Sequence, residues 1–168
     1  MRVNAKKPSS KVLQPGAVFL VRLVDGTHGV GQVLKVTKEA MNSVLCAFFD
    51  IRLEGDAGDA MLALDTTRLD ATHLVSVQFV TPDLLKKRTW PIVAERAPAV
   101  AIEDYVPLQA LERNGFVGAK IVGSGNIGEF LSAYHALCPW DEWADPHYLD
   151  KLLVSPDKRP SNVILTKS

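Results

Sequence analysis

The chain has 168 residues, 47% of them hydrophobic and 23% charged, and its 19 Lys and Arg are balanced by 19 Asp and Glu. That length is enough for one domain to bury a full core without disulfide or metal staples. The balanced charge argues against a nucleic-acid or membrane-surface partner, no run reaches the ~20 apolar residues of a membrane helix, and the start lacks the apolar stretch of a signal peptide, so a soluble, cytoplasmic protein is expected.

Residues 1–14 read as a flexible polar lead. Arg2, Lys6, Lys7 and Lys11 stand there with no acid among the first eleven positions. A single domain is expected over residues 15–168. It opens with the turn signal Pro15-Gly16. Residues 17–24 then read as a strand, reversed by Asp25-Gly26 and returned by a second strand over 29–36. The apolar start of VLCAFFDIRL (44–53) predicts a third strand buried on both faces. Residues 54–60 read as a loop, and 61–69 as either a short strand or a turn of helix. LVSVQFV (74–80) is a clean strand.

Thr81-Pro82-Asp83 has the form of a helix start, with Thr81 as N-cap and Pro82 in the first turn. Residues 89–93 read as extended, because a residue before proline avoids the helical region. A possible strand at 100–102, a short helix over 107–113 ended by Asn114-Gly115, and a late strand over 117–122 follow. The strongest helix runs over 126–137, with Ile127, Phe130, Leu131, Tyr134 and Leu137 at helical spacing. A second is predicted over 146–153. Strands come first and helices late, which predicts an α+β fold: a bent antiparallel sheet or small open barrel with the helical segment 126–153 packed on it. The expected core comprises Phe19, Val21, Val33, Phe48, Val77, Phe79, Trp90, Ile92, Phe130 and Leu131.

The motifs narrow the chemistry. Gly123-Ser124-Gly125-Asn126-Ile127-Gly128 matches GxGxxG between a strand and a helix, but too little chain follows to build the parallel sheet of a dinucleotide fold. The spacing instead reads as a tight turn in which Ser124 or Asn126 caps the helix; anion binding at the helix N-terminus is the other option. Cys46 and Cys138 have neither metal nor redox spacing and read as reduced, buried thiols. No GxSxG elbow occurs. His28 and His73 fall in turns and are expected to be exposed. No cofactor is implied.

The most informative stretch is FLSAYHALCPWDEWADPHYLDKLL, residues 130–153. It carries two of the three tryptophans and two of the three tyrosines, and from 139 to 150 it holds Asp141, Glu142, Asp145 and Asp150 with no Lys or Arg. Aromatics anchor interfaces and acids steer a basic partner. Trp140, Asp141, Glu142, Trp143 and Asp145 are therefore the candidate partner-binding residues. The same stretch contains metal-ligand types, His135, Asp141, Asp145 and His147, in no closed zinc spacing. Structural roles for these groups remain open: Asp145 as a helix cap, and Trp140 as the more buried of the two tryptophans.

Three stretches carry a family resemblance. Pro15-Gly16-Ala17-Val18-Phe19, Leu23, Asp25-Gly26 and Gly29-Val30-Gly31-Gln32-Val33-Leu34 resemble the opening hairpin of the immunity protein 26 family. Trp90-Pro91-Ile92-Val93 resembles its central motif, with Ala94 where the family often has glycine. Residues 133–141 and 145–152 resemble a C-terminal extension of one branch. The resemblance implies a small cytoplasmic protein of bacterial polymorphic toxin systems that binds and neutralises a cognate toxin, many such toxins being nucleases with basic clefts. It also implies an alternative, because the family label extends to a small metal-dependent phosphotriesterase. In that case His135, Asp141, Asp145 and His147 would be the metal candidates. The resemblance transfers no catalytic residue.

Overall fold

The computed structural model describes residues 12–166. The basic positions of the lead, Arg2 to Lys11, lie outside the described residues. Leu13 already packs on the core, and the Ala17 N–H donates to the Gln14 carbonyl (3.1 Å). The fold is α+β, with an open, mixed sheet of six strands. These are β1 (Ala17–Arg22), β2 (His28–Thr37), β3 (Ser43–Leu53), β4 (Leu74–Val80), β5 (Ile92–Glu95) and β6 (Ile121–Val122), in the order β5-β1-β2-β3-β4-β6. Every pairing is antiparallel except β4 with β6, which is parallel. That pair is the one departure from the expected antiparallel sheet. It arises because β6 reaches the sheet edge over a long excursion, residues 96–120, instead of a hairpin. Register breaks interrupt β1–β5, β2–β3 and β3–β4, where bulges bend and twist a sheet.

Both faces of the sheet are covered, which explains why β1, β2 and the start of β3 are buried on alternate and intervening positions alike. One face holds Phe19, Val21, Val33, Phe48 and Trp90 under helix α4 (Ser124–Tyr134) and the C-terminal segment, through Ile127, Phe130, Leu131, Trp140, Leu149 and Leu152. The other holds Val18, Leu20, Val30, Leu45, Phe49, Val77 and Phe79. It is closed by helices α1 (Ala57–Ala63) and α3 (Leu108–Arg113) and the chain around Val100 and Val106. All ten expected core residues are buried, though Val77 and Phe79 face the second layer. Gln32, fully buried in β2, ties the excursion to the sheet. Its Nε2 donates to the Arg96 and Ala97 carbonyls (3.1 and 3.2 Å), and its Oε1 accepts from the Ala99 N–H (2.9 Å).

The loop expected at 54–60 turns helical from Ala57, because the Asp56 carboxylate accepts from the Asp59 N–H (2.9 Å) as an N-cap. Helix α2 (Asp83–Lys86) begins after Pro82 with no side-chain cap. Thr81, expected to cap it, instead accepts from the Ser124 N–H (2.9 Å), and the Ser124 hydroxyl donates to Asp83 (2.8 Å). Neither Ser124 nor Asn126 caps α4: its N-cap is Gly123. The carboxylate at that helix end is the protein's own Asp83. The strand considered at 100–102 is instead irregular chain leading into a short 3-10 turn, Ile102–Asp104, and the expected late strand contracts to two residues. The helix expected over 146–153 is a 3-10 turn, Leu149–Leu152. The Leu152 carbonyl is taken instead by Ser76 and by Gln78 Nε2 (3.1 Å).

Helix α4 ends on Ala136 at φ +59°, with the Leu137 N–H on the Ser132 carbonyl (2.9 Å) and the Ala136 N–H on the Ala133 carbonyl (3.1 Å). This is the double-bonded C-terminal motif that ordinarily recruits glycine. A side chain in the left-handed region costs about 1–2 kcal/mol, partly offset by glycine's greater entropy loss. Ala136→Gly is expected to stabilise the protein by about 0.5–1 kcal/mol, read as a higher urea midpoint.

Candidate functional site

The acidic-aromatic segment leaves α4 and folds back under it. Trp140 is 1% exposed. Its ring packs on Phe130 at 5.9 Å, its Nε1–H donates to Asp150 Oδ1 (2.9 Å), and its backbone N–H donates to the Ile164 carbonyl (2.8 Å). Trp140 therefore presents no side-chain surface to a partner in the free molecule. Three of the other four candidates are also engaged. Asp141 Oδ1 accepts from the Thr166 N–H and hydroxyl (2.8 and 2.9 Å). Asp145 takes the Lys151 ammonium (2.6 Å) and the His147 N–H (2.9 Å). Lys151 first, then the His147 amide, hold the Asp145 carboxyl below its ordinary pKa. Trp143 is half-buried with its ring 4.8 Å from that of Tyr148. Of the five, only Glu142 is exposed with no ion pair among the described residues.

Glu142 and Trp143 nonetheless define a cleft, of about 230 Å³, whose other walls come from distant parts of the chain: Val24, Glu129, Cys138 and Pro139. Val24, Pro139 and Trp143 make its apolar surface. Glu129 and Glu142 make its rim, and neither has a basic partner among the described residues. The Cys138 thiol between them is pushed up by burial, then by the two carboxylates, so it stays protonated. Cys138 is thus only half-buried, whereas Cys46 is sealed inside β3, where burial raises its pKa further.

Val24 is placed by the β1–β2 turn. The Leu23 N–H donates to the Thr27 carbonyl (2.8 Å), Gly26 turns the chain at φ +86°, and Asp25 Oδ1 accepts from the Thr27 N–H (3.0 Å) and hydroxyl (2.6 Å). Arg52 from β3 closes the network on Asp25 (2.6 Å) and Thr27 (3.0 Å). Thr27 first, with Arg52, lowers the Asp25 carboxyl to a pKa of about 2. The Val24 N–H then reaches back to Ser132 of α4 (3.1 Å), which leaves the valine side chain 62% exposed beside the cleft. The turn is tight enough that His28 becomes the first residue of β2. It is 6% exposed, a correction to its expected place in an open turn.

The metal candidates do not converge. His147 Nδ1 lies against Asp150 (3.2 Å), and Asp141 and Asp145 are engaged as above. His135 lines a different cleft, of about 580 Å³, with Asp50, Tyr134 and Arg159. Burial, first of all, lowers the His135 pKa, and its Nε2 is sealed without a hydrogen-bond partner. Its neighbour Tyr134 is raised to about 12, by burial and then by Asp50. Among the described residues, no three His, Cys, Asp or Glu side chains stand together as a metal site. No described helix is long and apolar enough to cross a membrane.

The fold is that of a small α+β protein, and the acidic-aromatic segment lines a cleft on it. Residues 14–109, more than half of the chain, match the Immunity protein 26 family, and the chain belongs to that family. The match spans β1 to the start of α3 and so includes Val24; Glu129, Cys138, Pro139, Glu142 and Trp143 lie beyond it. No curated protein and no solved structure matches the chain.

Proposed function

We propose that this protein binds a cognate bacterial toxin in the cytoplasm and neutralises it, and that the toxin docks on the cleft between Val24, Glu129, Glu142 and Trp143. Membership of the family supports an immunity role with a toxin as partner. The observation that carries the location is a cleft lined by Val24, Pro139 and Trp143 together with two carboxylates, Glu129 and Glu142, that have no basic partner among the described residues. A half-buried tryptophan beside exposed Val24 supplies an anchor, and the free acids favour a basic partner surface such as a nuclease cleft. Asp141 and Asp145 act in this reading by holding the segment in place.

The test is affinity capture from the source cell, identification of the captured toxin, and titration of that toxin against variants. Glu129→Lys with Glu142→Lys is expected to weaken binding at least about ten-fold, chiefly through slower association, and Trp143→Ala by a similar factor through faster dissociation. Loss of protection in cells producing the toxin should follow. Unchanged affinity in both variants would remove this surface from consideration.

A further inference from the structure

On the other side of the β1–β2 turn lies a second cleft, of about 530 Å³, with Arg22, His28, Asp56, Arg88 and Thr89 among its walls. Two observations distinguish it from an ordinary surface depression. First, Arg22 and Arg88 are both exposed, and neither guanidinium has an ion pair or hydrogen bond among the described residues. The one carboxylate on the wall, Asp56, is turned to the Asp59 N–H as a helix cap. Second, Arg88 holds a left-handed backbone, φ +62°, fixed by its N–H on the Leu85 carbonyl (3.1 Å). Glycine enters that region freely and arginine does not, so the guanidinium is kept here at a conformational cost.

We propose that this cleft is an oxyanion site that takes the phosphate group of a small phosphorylated ligand. Arg22 and Arg88 grip the phosphate from two sides, and the Thr89 hydroxyl donates to it. A phosphate monoester fits this donor set better than a carboxylate does. It offers three acceptor oxygens instead of two, and a charge near −2 at neutral pH to meet two guanidinium forks. The cleft lies within the size range of small-molecule sites, so room remains beside the phosphate for the rest of the ligand. The site does not depend on the toxin-binding reading, and all its residues fall within the family-matched segment.

Calorimetric titration of the purified full chain with inorganic phosphate, ribose 5-phosphate and acetate tests it. Saturable one-to-one binding of phosphate is expected, tighter binding of the ester, and none of acetate. Arg22→Ala and Arg88→Ala should each weaken binding at least about ten-fold, as expected for loss of a charge-assisted fork. Arg88→Gly separates site from scaffold: it should abolish binding while raising the urea midpoint, because it relieves the left-handed backbone. The proposal is overturned by an absence of saturation, by binding that survives both arginine variants, by acetate binding as tightly as phosphate, or by an ester that fails to bind where free phosphate does.

Discussion

Trp140→Ala is expected to cost about 3–5 kcal/mol of stability, the range for deleting a fully buried large aromatic. The ring has no exposed edge, and three elements meet on it: Phe130 from α4, Asp150 from the 3-10 turn, and the Arg159 guanidinium 5.9 Å above its centre. Truncation opens a cavity and also strands the carboxylate that accepts the indole N–H. Trp140→Phe keeps most of the volume and loses that hydrogen bond, so about 1–2 kcal/mol is expected. Trp143→Ala should cost only about 1 kcal/mol, since that ring is half-solvated and contacts chiefly Tyr148. Urea midpoints of the three variants measure this directly. A larger loss at Trp143 than at Trp140 would reverse the roles assigned here. The contrast matters for function, because a binding defect in the Trp140 variant would report unfolding of residues 139–150, whereas one in the Trp143 variant reports the surface.

What could be read from the sequence divides along physical lines. Elements specified by local pattern were legible: the β1–β2 hairpin from its glycine-bounded turn, β3 and β4 from apolar runs, α4 from its helical spacing, and Trp90 from its flanking proline. Elements decided by distant contacts were not. Two-residue β6 exists because Thr81 and Phe79 offer it an edge, and nothing within Ile121–Val122 announces a parallel pairing. The acidic-aromatic segment showed its composition but not its folding back: Trp140, named among the partner-binding candidates, is also the more buried tryptophan that its place just after the helix led one to expect. Glu142 and Trp143 were legible as an unusual pair. Glu129 and Val24, which complete their cleft, come from more than ten and more than a hundred residues away, and as a lone helical acid and a strand-end valine they carry no local signal. The same holds for Arg22 and Arg88. An unpaired arginine is visible only when the absence of its partner is visible.

The second large expected effect concerns Gly31, and it explains the glycine alternation of the hairpin. Gly31 sits opposite Phe19 in β1 and Phe48 in β3. On that face Phe19 stacks flat on Trp90 (5.4 Å between centres, 7° between planes), and Phe48 meets both rings edge-on at 6.0 and 6.3 Å. The Phe19 ring lies directly over the Gly31 backbone: a β-carbon at position 31 would stand 2.4 Å from Phe19 Cζ and 3.1 Å from Phe48 Cδ1. Two residues earlier, Gly29 makes the same kind of room for Leu131 of α4, with 3.1 Å to its Cδ1. The alternation thus marks where the sheet must be thin, under the aromatic cluster and under the helix. Gly31→Ala adds one methyl group where the rings cannot yield, because Phe19 is held between Trp90 and Phe48. The small gain from replacing a strand glycine is outweighed, and a net loss of about 2–3 kcal/mol is expected, with altered Trp90 fluorescence in the folded state. Phe19→Leu in the same chain should recover part of that loss, because it removes the overlapping ring atoms. In a double-mutant cycle the two substitutions should therefore couple favourably by about 1 kcal/mol or more. Additive losses would show that the methyl group is accommodated elsewhere and that Gly31 is kept for its backbone rather than for the space above it.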